Sequence, residues 1–206
     1  MATQEIKRIK IGNYKGVEIE LHTWDAGMAE VDLSCACMFS EEVGMDEPIG
    51  GLKHLNDALD GRLFSLRKQG LFNGFKSELL LLDSLKEAIP AQNLLIIGMG
   101  SPLDWTSEES AIAIEKAVHT AYQLQVESVA IAPGILDTGI KPKTYFSKEM
   151  LAALISTIRK QHELFQLGLV QAPSLKKWVF DAGYQNFEEK GLNFQENFQQ
   201  ILDSNK

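Results

Sequence analysis

The stretch that decides the fold is residues 93–132, "NLLIIGMGSPLDWTSEESAIAIEKAVHTAYQLQVESVAIA". It begins with an apolar run at 93–100 and ends with another at 127–132, and both have the length of buried strands. Between them, Thr106 and Glu109 form a capping-box pattern, after which apolar residues recur at helical spacing. Strands that alternate with helices of this length predict an α/β layer fold with helices on both faces of the sheet.

The same alternation continues on both sides of this stretch. The sequence predicts a hairpin (5–11 and 17–23), a strand buried on both faces (29–39), a loop (40–51), a helix (52–68), a short strand (77–82), a helix capped by Ser147 (147–163), a last strand (176–183) and a closing helix (187–201) broken at Gly191. Because no repeat, linker or low-complexity segment separates these elements, residues 1–206 are expected to form one domain.

Composition and charge exclude several classes of protein. The net charge of −8 and the pI near 5.1 are unlike those of a nucleic-acid-binding protein, which usually presents a basic face. No apolar segment follows Met1 and none approaches the roughly 20 apolar residues of a membrane span, so no membrane partner is expected. Cys35 and Cys37 lie on one face of an apolar run and are interpreted as reduced core residues, which predicts a cytoplasmic location.

Residues 51–132 resemble the N-terminal domain of the leucyl aminopeptidase family. The landmarks are the "LNDALDGRL" helix, the "GLFNGFKSELLLL" turn into a strand, and the "LLIIGMG" and "ESVAIA" strands. In that family a di-zinc peptidase domain follows, for which the remaining chain up to Lys206 leaves no room. The resemblance therefore implies no peptidase activity for this chain on its own.

A second resemblance, to the macro domain, implies a three-layer fold around a mixed sheet. "AEVDLSCACMF" (29–39) is similar to the first macro strand, with Val31 and Asp32 matching, and "APGILDTGI" (132–140) is similar to the macro phosphate loop. Macro domains carry asparagines that contact the distal ribose, but residues 36–39 here contain none. The resemblance makes Asp32 a candidate for the acid that contacts adenine, while the missing asparagines count against hydrolysis of ADP-ribose.

Two glycine-containing loops are the candidate ligand-binding segments. Loops of this kind, between a strand and a helix, direct backbone N–H groups at one point and can hold an anion. The loop at 98–101 lacks the third glycine of a dinucleotide fingerprint, since Leu103 stands at that position. The predicted ligand-binding residues are Asp32, Gly98, Gly100, Ser101, Gly134, Thr138, Gly139 and Lys141; the alternative interpretation of both loops is a plain connection between elements.

A partial likeness to the peptidase signature occurs near the last strand. Lys176 and Asp181 have the spacing of the zinc-binding Lys and Asp of that signature. One aspartate cannot hold two zinc ions, because each ion needs several protein ligands. The four histidines show no metal-binding spacing either, so no catalytic residue, metal or cofactor is predicted.

The sequence therefore favours a non-catalytic, stand-alone relative of the leucyl aminopeptidase N-terminal domain that acts in binding or assembly. One alternative is a macro-type protein that binds or hydrolyses ADP-ribose or a nucleotide, and another is one part of a split leucyl aminopeptidase. The candidate partners are a second copy of the chain, a separate peptidase domain and a small phosphate-bearing ligand.

Overall fold

The described residues of the computed structural model, 5–83, 85 and 88–204, form a seven-stranded mixed sheet with helices on both faces. The strands are β1 (Arg8–Tyr14), β2 (Val17–His22), β3 (Leu33–Met38), β4 (Leu79–Leu82), β5 (Asn93–Gly98), β6 (Ser128–Ala132) and β7 (Lys177–Asp181). The helices are α1 (Gly50–Ala58), α2 (Arg62–Lys68), α3 (Ser107–Leu124), α4 (Ser147–Gln166) and α5 (Phe187–Ser204), with a 3-10 helix at Pro102–Asp104.

The strand order is β1-β2-β7-β6-β3-β5-β4. The five inner strands run parallel to one another, and the edge strands β1 and β4 run antiparallel to their neighbours. The predicted three-layer α/β architecture with a mixed sheet is thus confirmed. Among the described residues, no helix combines the length and the apolar character that crossing a membrane requires.

Strand β3 lies in the middle of the sheet and is buried at every residue. Cys35 and Cys37 face the apolar core beneath α3, α4 and α5, while Ala36 and Met38 face the core beneath α1 and α2. The hydroxyl of Ser34 donates a hydrogen bond to the carbonyl oxygen of Ala26 at 2.8 Å, so the polar atom of this strand is satisfied. The prediction of a strand buried on both faces is confirmed.

The N-terminal hairpin is confirmed, although its turn is tighter than predicted. The strands extend to Tyr14 and Val17, and the two turn residues Lys15 and Gly16 both have positive φ, as type I′ turns require. A bulge between Lys10 and Gly12 interrupts the pairing of β1 with β2.

The single helix predicted over 52–68 is wrong, because the chain forms two helices there. Asp60 and Gly61 adopt left-handed φ values of 53° and 78°, which end α1 and redirect the chain into α2. The side chain of Asn56 accepts a hydrogen bond from the backbone N–H of Phe64 and fixes the second helix against the first. The apolar spacing survives the break because Leu59 and Leu63 are both buried in the same core.

Two predictions about helix ends are also corrected. Ser147 is the first residue of α4 and not its cap; its hydroxyl donates instead to the side-chain oxygen of Asn193 on α5. Helix α5 runs without a break through Gly191. A Cβ at that position would lie 2.4 Å from the Ile9 side chain, so the glycine permits close packing of α5 on β1.

The predicted capping box at the start of α3 is confirmed. The Glu109 carboxylate accepts from the backbone N–H of Thr106 at 2.9 Å and is contacted by the Lys76 ammonium at 2.6 Å. Burial raises the pKa of Glu109, but Lys76, Thr106 and the backbone N–H groups outweigh it and lower the pKa to about 2.

Leu59 offers a test of the face that α1 and α2 bury. Its side chain is 2% exposed, so Leu59→Asp places an unpaired charge in the core and is expected to cost several kcal/mol of a total of about 5–15 kcal/mol. Leu192→Asp introduces the same charge at a position that is 62% exposed on α5 and should unfold like the parent. Urea unfolding followed by circular dichroism makes the comparison, and equal midpoints for the two variants would contradict this packing.

Candidate functional site

The carboxyl ends of the parallel strands bring three aspartates together. In α/β sheets this edge is where ligands bind. Asp181 is the last residue of β7, Asp25 follows the end of β2, and Asp137 lies in the loop after β6. A Cβ added to Gly51 would lie 3.0 Å from the Asp25 side chain and 3.2 Å from an Asp137 oxygen, so both carboxylates flank the start of α1. We call Asp25, Asp137 and Asp181 the carboxylate cluster.

Asp137 caps the N-terminus of α1 from outside the helix. Its Oδ2 atom accepts a hydrogen bond from the backbone N–H of Leu52 at 3.0 Å, and its carboxylate also accepts from Gly51. Gly50 has a φ of +58°, and a Cβ there would lie 2.2 Å from Oδ1, so a glycine is required for this approach. Two N–H groups at the positive end of α1, those of Gly51 and Leu52, are therefore occupied by a carboxylate of the same chain.

Burial raises the pKa of Asp137 even though the N–H groups of Leu52 and Gly51 act to lower it. The negative charge of the neighbouring Asp25 raises the pKa further. The hydrogen bonds from Leu52 and Gly51 thus hold the Asp137 carboxylate in place although burial and the charge of Asp25 both disfavour its ionised form.

Asp25 connects the cluster to the surface. Its Oδ2 atom lies 2.9 Å from Nδ1 of His54 on α1, and its Oδ1 atom accepts from the backbone N–H of Gly27 at 2.9 Å. The Asp25 side chain is mostly buried, whereas the His54 side chain is largely exposed. Of this pair, His54 is the side chain that solvent reaches more easily.

Asp181 is the most strongly perturbed member of the cluster. Burial raises its pKa to about 8, and the charges of Asp25 and Asp137 act in the same direction. The backbone N–H of Gly183 and the nearby Lys190 oppose this shift. The raised pKa favours the protonated form of Asp181, which reduces the charge that the cluster carries.

The predicted ligand loop at 133–141 uses much of its hydrogen-bonding capacity internally. The Thr138 hydroxyl and backbone N–H both donate to the Gly134 carbonyl oxygen, and the N–H groups of Gly139 and Ile140 also bond to carbonyls of the loop. Gly134 and Gly139 both have positive φ, and a Cβ on either would lie 2.5 Å from a backbone oxygen. Lys141 is exposed.

The second predicted loop lies on the other side of the end of β3. A Cβ on Gly98 would lie 2.1 Å from the carbonyl oxygen of Phe75, so this glycine allows the chain before β4 to approach. The Ser101 hydroxyl accepts from the N–H of Leu103 and starts the 3-10 helix. A narrow cavity beside this loop, between the sheet and α3, is lined in part by Lys76, Ile97, Gly98, Met99, Glu109 and Ile112.

Asp32 lies at the opposite end of β3, away from the other predicted ligand residues. Its Oδ2 atom accepts hydrogen bonds from the backbone N–H groups of Glu127 and Ser128 and from the Ser128 hydroxyl, each at 2.9 Å. These bonds join the start of β3 to the start of β6. The structure therefore brings the residues of the two loops together at one edge but does not bring Asp32 to them.

The peptidase-like pair is also separated. Asp181 ends β7, whereas Lys176 precedes that strand and its ammonium contacts Glu127 at 2.5 Å. Within 5–83, 85 and 88–204, no group of three or more His, Cys, Asp or Glu side chains is arranged to hold a metal ion.

Residues 42–161 match the model of the cytosol aminopeptidase family, N-terminal domain. The chain belongs to this family. No curated protein matches it in sequence. The family membership confirms the first resemblance drawn from the sequence.

The fold of this chain is similar to those of solved macrodomains and of a leucine aminopeptidase. The Oceanobacillus iheyensis macrodomain with MES bound is similar with a TM-score of 0.60 and 14% identity, over 97% of this chain and 100% of that chain. The Trypanosoma brucei macrodomain in complex with ADP gives a TM-score of 0.55 and 14% identity, over 89% and 68%. A mutant of tomato leucine aminopeptidase gives 0.55 and 13%, over 91% of this chain and 37% of that chain. At these identities the likeness establishes a macro-like fold and nothing about activity.

Sequence reasoning missed Asp25, His54 and Asp137 as members of one site. A usable signal was present, because Asp25 and Asp137 each follow a predicted strand within five residues of its end. Polar residues at such positions meet at the carboxyl edge of a parallel sheet. The contact of Asp137 with α1 carries no such signal, since it joins residues 85 apart in the chain.

The perturbed pKa of Asp181 predicts how stability depends on pH. The folded state keeps a proton on Asp181 up to about pH 8, whereas the unfolded chain releases it near its ordinary value of 3.8. Stability is therefore lost as pH rises through this window, by up to about 1.4 kcal/mol per pH unit. Asp181→Asn should remove this loss, so its advantage over the parent should grow between pH 5 and pH 8, values within the window.

Urea unfolding at several pH values within that window tests this expectation. Asp46→Asn, at an exposed acid in the loop before α1, is the matched control and should follow the parent. If the Asp181→Asn and parent curves run parallel across the window, the perturbed carboxyl is assigned to the wrong residue.

Proposed function

We propose that this chain is a non-catalytic protein-binding and assembly module that uses the macro-like fold of the aminopeptidase N-terminal domain as a single domain. The observation that carries this proposal is the Asp137 carboxylate on the N-terminus of α1. A helix N-terminus is a natural anion site, and here the chain fills it with its own side chain.

The electrostatics of the strand edge also support the proposal. A nucleoside diphosphate brings negative charge that needs N–H donors and cations. The carboxylate cluster places Asp25 and Asp137 there instead, and the N–H groups of Thr138, Gly139 and Ile140 are bonded within their own loop. The net charge of −8 adds to the repulsion of an anion.

The surface supports a role in binding other proteins. Large apolar side chains are normally scattered singly, and contiguous exposed patches indicate interaction sites. Leu79 (44% exposed) and Leu81 (40%) lie on one face of β4, and the segment before this strand also exposes Leu71 (64%) and Phe75 (63%).

A second candidate function is macro-type binding of ADP-ribose or a related nucleotide. The likeness to Oceanobacillus iheyensis macrodomain structures with ADP and with ADPR favours it. Under that function the ligand would contact the predicted loop residues Gly98, Gly100, Ser101 and 134–141. A third candidate is one part of a split leucyl aminopeptidase, for which a separate peptidase chain would be the partner.

Titration with ADP-ribose separates the first two functions. We expect no saturable heat or amide shift for the parent, because Asp137 occupies the N–H groups of Gly51 and Leu52. Asp137→Ala should expose these groups and produce weak binding of ADP-ribose and inorganic phosphate, with amide shifts at Gly51 and Leu52. It should also lose about 1 kcal/mol of stability through the lost cap.

Asp46→Ala removes the same charge from an exposed position and is the control for net charge. It should bind no better than the parent. Saturable ADP-ribose binding by the parent, with shifts in the loops at 98–101 and 133–141, would replace the proposed function with the macro-type one.

A further inference from the structure

The two edge strands of the sheet, β1 and β4, differ in their residues and in the regularity of their pairing. The β1 edge carries Arg8 and Lys10 as exposed residues and has a bulge between Lys10 and Gly12. Charged residues and bulges protect an edge strand from pairing with another chain. The β4 edge consists of four leucines, and no described strand pairs with it on the side away from β5.

The pairing of β4 with β5 fixes which backbone groups face outward. Leu80 lies opposite Ile96, and the carbonyl oxygen of Glu78 accepts from the N–H of Gly98 at 2.8 Å. In an antiparallel pair, alternate residues direct their N–H and C=O groups to the same neighbour. Even-numbered residues of β4 therefore bond to β5, and Leu79 and Leu81 direct their backbone groups toward the open edge.

We propose that a second copy of this chain pairs antiparallel along β4, with Leu80 on the two-fold axis. This inference rests on the proposed function in assembly and names the partner. A two-fold axis perpendicular to the sheet places Leu80 opposite Leu80 of the second copy and Leu79 opposite Leu81. The outward N–H and C=O groups of Leu79 and Leu81 then meet their counterparts in four hydrogen bonds.

The side chains of the edge are self-complementary in this register. Residues opposite one another in an antiparallel pair lie on the same face of the sheet, so leucine meets leucine on both faces. Glu78 lies opposite Leu82 of the second copy, and Ser77 lies opposite Asp83, so no like charges face each other. A second copy supplies this match by symmetry, because each leucine of Leu79–Leu81 in one edge lies opposite a leucine of the other.

The face of β4 on the α3 side has room for the contact. Leu79 and Leu81 lie on that face opposite Ile97 and Leu95, and they remain 44% and 40% exposed because α3 covers β3 and β6 instead. Pairing buries these leucines of both copies against one another. A four-residue strand forms a contact smaller than the standard interface of about 800 Å² per partner, so the dimer should dissociate on dilution.

Sedimentation velocity over a range of concentrations tests the dimer. The parent should shift from monomer to dimer as concentration rises, and Leu81→Lys should stay monomeric because it places a charge within the paired edge. Leu192→Lys, at an exposed position of α5, is the matched control and should dimerise like the parent. Leu81 is exposed, so Leu81→Lys should melt near the parent temperature.

Cross-linking tests the register. Cys35 and Cys37 are buried, so Leu80→Cys introduces a thiol at the edge into a chain whose own thiols are shielded. Opposite residues in a non-hydrogen-bonded pair lie about 4.5 Å apart between Cα atoms, within disulfide range. Mild oxidation should link two copies of Leu80→Cys, and Leu192→Cys should stay largely unlinked.

The outcomes separate this inference from the proposed function. A monomeric parent, a Leu81→Lys variant that still dimerises, or an unlinked Leu80→Cys variant would each overturn pairing along β4. If the parent is monomeric at all concentrations, the β4 edge would instead be a site for a strand from a different protein. The proposed function fails on a different result, saturable ADP-ribose binding by the parent.

Discussion

Strand β3 has no side that faces water, so the surrounding elements must supply both its backbone hydrogen bonds and its apolar contacts. Its backbone pairs with β5 on one side and β6 on the other, and its side chains divide between two apolar cores. Asp32 joins its beginning to β6, while Gly134 lets the loop after β6 pack against the carbonyl oxygen of Cys37 near its end. The two candidate ligand loops meet at this edge because β3 brings them there.

The same edge explains why a macro-like fold need not imply the binding of an anion. The start of α1 supplies N–H donors, but the Asp137 carboxylate already accepts hydrogen bonds from them. The absence of a side chain at Gly50 lets this carboxylate come close to the helix. A second carboxylate, Asp25, stands beside it, and desolvation together with the charges of Asp25 and Asp137 raises the pKa of Asp181. A carboxylate of the chain itself thus stands where a helix N-terminus could otherwise hold an anion.

The sequence predicted the parts of this structure that depend on local pattern. The apolar run at 93–100, the buried strand around Cys35 and Cys37, and the capping box at Thr106 are all encoded within a few neighbouring residues. The break at Asp60–Gly61 was missed because buried leucines keep helical spacing on both sides of it. Gly191 was wrongly predicted to break the helix. The glycine is needed there because Ile9, a residue at the other end of the chain, packs against it.

The carboxylate cluster and the β4 edge are far enough apart to act independently. Three strands, β6, β3 and β5, separate β7 from β4, so four strand spacings of about 4.8 Å place Asp181 roughly 19 Å from the edge. Pairing along β4 would extend the sheet without covering the start of α1 or the loop that carries Asp137. A change that reopened the anion site would therefore leave the edge intact, and the assembly of the domain and the chemistry of its strand ends can vary separately on one fold.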